Sequence, residues 1–153
     1  MTLVLSIVAG VVAMEFVSYA LHRWLFHGVL WRIHETHHKP HHGWFELNDI
    51  FSLGFAAIST GLIIKGADTL WLTPEFGIGV GIALYGLLYF IIHDVFTHKR
   101  LGSMKSDNAF IRLVRRAHQK HHQDVGKKGQ EPYGLFLFPY DKYPERKRKN
   151  TEL

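Results

Sequence analysis

The sequence predicts an all-α, polytopic membrane protein, with about four transmembrane or re-entrant helices and a cytoplasmic, histidine-rich helical cap. Three observations predict it: long apolar segments dominate the first two thirds of the chain, basic residues gather on one side of those segments, and all 12 histidines lie outside them. A chain of 153 residues is the size of one domain, so residues 1–153 are expected to form a single unit.

The first apolar segment, residues 3–21, contains Glu15 and no Lys or Arg, and matches the length that crosses a bilayer core of roughly 30 Å. A secretory signal peptide fits it poorly, since it has neither a basic leader nor a small-residue cleavage site. Residues 50–64 form a shorter second segment and residues 76–92 an uncharged third. Between them "KGADTLWLTPE" mixes Gly, Pro and charges with Leu70, Trp71 and Leu72, so residues 66–75 read as a turn or a short re-entrant element. Within the third segment Gly77 and Gly81 form a G-x-x-x-G pair, which predicts close helix packing. The same stretch begins like a dinucleotide fingerprint, but Ile82 occupies the third glycine position and no strand precedes it.

The formal charge is +5, yet its placement is more telling than its sum. Arg23, Arg32, Lys39 and Lys65 are the only basic residues before Lys99, leaving 14 of 18 from there onward. Because short Lys/Arg-rich loops stay cytoplasmic, residues 22–49 and 93–153 belong on that side, and Trp24, Trp31 and Trp44 fall at interfacial positions. The basic tail, residues 140–153 with "ERKRKN", reads as solvated or as touching anionic lipid, and we expect no nucleic-acid partner. With no cysteine, disulfides, thiolate metal sites and thiol nucleophiles are excluded.

Ten of the histidines repeat one pattern twice. His22 and His27 form H-x4-H, followed by His34, His37 and His38 as H-x2-H-H; His93 and His98, then His118, His121 and His122, repeat the order. At about 100° per residue, positions i, i+3 and i+4 share a helix face, so each triplet can converge, with His37 and His38 splayed toward neighbouring metals. Positions i and i+5 differ by about 140° on a straight helix. His22/His27 and His93/His98 therefore either serve different ions or lie where the helix unwinds on leaving the membrane. Ten imidazoles exceed the four ligands of structural zinc and suit two transition metals at about five nitrogens each. Only Glu35 and His38 match the E-x-x-H spacing of carboxylate-rich di-metal bundles, so the expected site is dominated by histidine.

Such a cluster at the membrane face is placed to meet a lipid-soluble substrate. There is no G-x-S-x-G elbow, and a redox-active metal pair would allow dioxygen to attack an unactivated C–H bond. Without a flavin or nicotinamide motif, electrons would come from a separate protein, for which the basic tail offers an attractive surface.

The repeated histidine set resembles the membrane fatty acid hydroxylase/sterol desaturase superfamily. "GWFELNDIFSLGFAAIS", "YGLLYFIIHDVFTH" and "AHQKHH" followed by "GLFLFP" are similar to bacterial non-haem β-carotene hydroxylases, over nearly the whole chain. The resemblance implies two histidine-held irons, O2 as co-substrate, hydroxylation at carbon 3 of the β-ionone ring, a ferredoxin-like electron donor and a bacterial inner-membrane location. It implies His22, His27, His34, His37, His38, His93, His98, His118, His121 and His122 as iron ligands. Zinc can replace iron in such sites, so its presence in a purified sample would not decide the metal.

"KPHHG" departs from that family, which usually carries charged residues there. Pro40 ends the helical turn, and His41 and His42 are expected to be solvated or to support the ligands from behind. Asn48 and Asp49 either orient ligands or cap a helix, and Asp94 either orients an imidazole or is a surface charge. Glu15 either packs neutral against another helix or faces a substrate channel. Two other functions compete: a hydroxylase or desaturase of fatty acyl, sphingoid or sterol lipids, and a membrane metal transporter or metal-binding protein. The second would place its ligands near the bilayer midplane, where this sequence has no histidine.

Overall fold

In the computed structural model, residues 2–39, 43, 45–67, 73–102, 104 and 106–144 are described. Three helices are long and apolar enough to cross a membrane: Thr2–Phe26, Asp49–Ala67 and Pro74–Thr97. The first combines α1 (Thr2–Ala20) with a π-helical turn, π1 (Leu21–Phe26). The second is α3 (Asp49–Ala67), and the third joins α4 (Pro74–Tyr89) to a second π-helical segment, π2 (Phe90–Thr97). Outside the spans lie α2 (Trp31–His38) and α5 (Ala109–His121). The expected short element at 66–75 is divided: Gly66 and Ala67 end α3, Thr73 caps α4, and residues 68–72, with Leu70, Trp71 and Leu72, lie outside the described residues.

Local chemistry sets the α4 start. Thr73 Oγ1 accepts a hydrogen bond from Phe76 N at 3.2 Å, and Pro74 stands in the first turn, where its missing N–H costs nothing. The G-x-x-x-G pair packs as expected. A Cβ on Gly81 would lie 2.4 Å from Ile7 O and 2.9 Å from Gly10 Cα, and one on Gly77 would lie 2.5 Å from Ser6 Cβ. Gly79 points the other way, toward α3, where Ser59 Oγ donates to its carbonyl at 2.7 Å. α4 is thus the central helix, with α1 on one side and α3 on the other.

Glu15 neither lies free nor faces a channel. Its Oε1 accepts from Phe136 N at 2.9 Å and Leu137 N at 2.7 Å, and its Oε2 accepts from Tyr85 Oη at 2.8 Å. A carboxylate in a span is costly unless its oxygens are satisfied, and here it ties the 132–139 loop to α1 and α4. Beneath that loop, Met14, Tyr85, Val114, Ala117, Leu135 and Phe138 are buried together, joining the spans to α5.

Candidate metal centre

The two π-helical segments resolve the spacing problem posed by H-x4-H. His27 N bonds to His22 O at 3.1 Å, and His98 N bonds to His93 O at 2.9 Å. An i→i+5 bond widens the turn, so residues five apart return toward one face. The helix does not unwind on leaving the membrane; it broadens. The His22 and His27 rings stack with centroids 5.1 Å apart, and those of His93 and His98 are 4.6 Å apart.

Nine histidines form two groups, within each of which one nitrogen from every ring lies within 4.8 Å of the others. One contains His22, His27, His34, His38 and His121; the other contains His37, His93, His98 and His118. The triplets are shared between them. His34 and His38 face the first group and His37 the second, while on α5 His121 faces the first and His118 the second. The splay of His37 and His38 is as the helical spacing predicts, but neither triplet converges on one point. His122 lies between the groups, its Nε2 2.8 Å from His118 Nε2 and its ring 4.4 Å from that of His38.

Most of these imidazoles are held from behind. His22 Nδ1 donates to Tyr133 O at 2.8 Å, His27 Nδ1 to Lys127 O at 3.1 Å, and His121 Nδ1 to Gln130 O. His34 Nδ1 meets Asn48 Oδ1 at 2.8 Å, His37 Nδ1 meets Glu46 Oε1 at 2.7 Å, and His93 Nδ1 meets Asp94 Oδ1 at 2.7 Å. Each contact keeps the proton on Nδ1 and leaves Nε2 as a lone pair turned inward. His27 and His121 then face each other Nε2 to Nε2 at 3.3 Å with no proton to share, and His22 Nε2 is buried without a partner. Lone pairs that repel one another in a buried site are reconciled by a cation among them, so this donor set fits bound metal.

Burial also keeps the rings neutral. It pushes His34 down to about 3, His38 and His122 to about 2, and His98 and His121 to about 4, with neighbouring imidazoles adding to the effect. His27, His37 and His118 move the same way for the same leading cause.

Asn48 and Asp94 contact imidazoles directly, whereas Asp49 does not. Asp49 Oδ2 accepts from Glu46 N at 3.0 Å and its Oδ1 pairs with Arg100 at 2.8 Å, so it supports Glu46 from behind. His41, His42 and Trp44 lie outside the described residues. Trp31 is not simply an interfacial anchor, since it packs 5.2 Å from the His27 ring and 5.3 Å from that of His38.

Sequence reasoning missed Glu46 and Arg100. The Arg100 guanidinium pairs with Glu46 Oε1 and Asp49 Oδ1 and lies 3.9 Å from Asp94 Oδ1. It is part of the site and not of the basic surface to which its position in the chain assigned it. The readable signal was "ELND", which sets acidic residues at i and i+3 just before an apolar helix.

A cavity of about 440 Å³ adjoins the second group from the membrane side. It follows α3 from Phe51 to Ile63, a distance of about 18 Å at 1.5 Å per residue. Phe26 and Phe51, stacked at 3.9 Å, stand at its inner end with Asn48, Tyr89 and Asp94. The Tyr89 ring stacks 4.3 Å from that of His93, with its hydroxyl 3.1 Å from His93 Nε2.

Comparison with known proteins gives the family. The fatty acid hydroxylase family model matches residues 7–144. The chain belongs to that family. Among its relatives, "Beta-carotene 3-hydroxylase 1, chloroplastic" of Arabidopsis thaliana is 44% identical over 136 residues, covering 86% of this chain and 43% of its own length. "Beta-carotene hydroxylase" of Pseudescherichia vulneris is 38% identical over 132 residues, covering 86% of this chain and 74% of the relative. The enzyme of the same name from a Paracoccus species is 36% identical over 141 residues, covering 91% and 86%. The chain therefore spans less than half the length of the plant relatives and most of the bacterial ones. No solved structure matches it.

Proposed function

We propose that the chain is an O2-dependent hydroxylase acting on carbon 3 of the β-ionone ring of carotenoids such as β-carotene. Residues 1–153 act as one domain, and the ten paired-cluster histidines hold two irons. The observation that carries the reading is the junction of two histidine groups with an apolar, membrane-side cavity at Tyr89 and His93. Relatives bearing the β-carotene hydroxylase name support the substrate class.

When bound, the iron pair supplies the redox chemistry. One oxygen atom of O2 enters the ring C–H bond and the other leaves as water, with two electrons and two protons consumed. The chain's own residues hold and shield the site. Glu46, Asp94 and Asn48 fix the Nδ1 side of His37, His93 and His34, which orients the inward nitrogens. Phe26, Phe51 and Tyr89 line an apolar approach that excludes water. The electrons come from an external, ferredoxin-like donor attracted to the basic residues beyond Lys99. The excess of Lys and Arg on the histidine side supports a cytoplasmic site in a bacterial inner membrane.

Expression of the chain in cells supplied with β-carotene tests the reading. Hydroxylated carotenoid is the expected product, and its absence from protein carrying iron would overturn the substrate assignment.

A further inference from the structure

Gly86 lies in α4 and lines the cavity. Glycine is unfavourable within a helix, so its presence invites a reason. Packing supplies one for Gly77, Gly79 and Gly81, where an added Cβ would meet neighbouring helices at 2.5 to 2.9 Å or closer. It supplies none for Gly86, where an added Cβ would meet nothing within 4 Å. Gly86 is exposed and opens onto the cavity. Ser52 and Ala56 on α3 and Ala83 on α4, which line it too, are small and exposed, alongside the larger Ile82, Tyr89 and Phe90 of the third span, whereas Leu53, Leu84 and Leu87 lie outside the cavity.

The cavity is too short for a whole carotenoid. It runs about 18 Å along α3, less than the length of a long polyene with a ring at each end. It therefore takes one terminal ring with part of the chain, leaving the rest of the molecule in the lipid. A methyl-substituted ring is much broader than a straight acyl chain, so width at the ring's position discriminates between them.

We infer that Gly86 is a specificity-determining residue: it leaves the width that admits a methyl-substituted terminal ring, which a larger side chain would exclude in favour of straight chains. This rests on the carotenoid reading above and names the position that enforces it. Gly54 of α3 provides the control, because a Cβ there also meets nothing within 4 Å but Gly54 does not line the cavity.

Two measurements on the full chain in lipid vesicles test the inference. The chain has no cysteine, so Gly86→Cys introduces a single thiol. β-Carotene in the vesicles is expected to slow its labelling by a membrane-permeant maleimide, while the thiol of Leu84→Cys, outside the cavity, labels at an unchanged rate. Equal effects at the two positions would overturn the inference. In the second measurement, Gly86→Leu lowers β-carotene turnover by about tenfold or more with metal content intact, and Gly54→Leu does not. Equal turnover in the two leucine variants would overturn it. If the wild-type chain turns over no β-carotene, the functional reading fails, and the labelling measurement still decides whether a ring occupies the space beside Gly86.

Discussion

His37 and His93 face each other with their Nε2 atoms 3.1 Å apart, while a different carboxylate, Glu46 or Asp94, holds the Nδ1 of each at 2.7 Å. With the protons held at the back, the facing nitrogens offer two lone pairs to one position. α2 supplies one ring and π2 the other, so a metal bound at that position would tie α2 to the third span.

Glu46 is therefore expected to matter as much as many direct ligands. Glu46→Gln keeps the shape but removes the charge that fixes His37 and pairs with Arg100. We expect a 10- to 100-fold loss of metal affinity, roughly the usual effect of removing a group that orients a ligand. Titration of metal-depleted protein with Fe²⁺ or Zn²⁺ would measure it, and wild-type affinity in the variant would remove Glu46 from the site.

Adjacent histidines should have separable effects. His37 faces one group and His38 the other. Elemental analysis of His37→Ala should find metal lost from one group with the other retained, and His38→Ala should give the complementary loss. His41→Ala and His42→Ala should leave the metal content near wild type, since Pro40 separates that pair from α2 in sequence. Complete metal loss in His41→Ala would reject that division.

The three spans were legible because bilayer crossing imposes a length and an apolar composition that few other elements share. The shift of the α4 start from Phe76 to Pro74 follows from the Thr73 cap, a polar signal invisible to hydropathy. The histidine repeat was legible as chemistry but only partly as geometry. A five-residue spacing gives the wrong angle on an α-helix, and nothing in the apolar pattern says that the turn will widen. Glu46 and Arg100 escaped notice because a charged residue in a loop reads as solvated until tertiary contact buries it.

The metal-free fold should weaken in acid. Histidines in the unfolded chain protonate near pH 6.5, whereas burial holds His98 and His121 at about 4 in the folded state. Between those values the unfolded chain binds more protons. Stability is therefore full above about pH 6.5 and declines as pH falls through the window, on the order of 2 kcal/mol per such imidazole at pH 5. Thermal melts of metal-depleted protein from pH 7.5 to 5 would check this, and a flat profile would contradict neutral, buried rings.

The contact between α1 and α4 leaves no room for a side chain at Gly81, whose Cβ would lie 2.4 Å from Ile7 O. That neighbour is backbone and cannot rotate away. Gly81→Leu should cost about 1–3 kcal/mol or more through forced helix separation. Denaturation in detergent would register this, while Gly54→Leu, with open space around its Cβ, should remain near wild type.

Glu15 offers a test of how the loop over the histidines is held. Its carboxylate receives two backbone amides and one phenol, and the loop it anchors carries the Tyr133 carbonyl that orients His22. Glu15→Ala leaves those donors unpaired, at about 1–3 kcal/mol for the buried Tyr85 hydroxyl and less for the Phe136 and Leu137 amides, which are partly open to solvent. Hydrogen exchange at Phe136 and Leu137 should accelerate, and metal affinity in the His22 group should fall as that ring loses its fixed orientation. Glu15→Gln retains one acceptor oxygen and should lie between the two. Unchanged protection at both amides in Glu15→Ala would mean that the packing of Leu135 and Phe138 alone holds the loop.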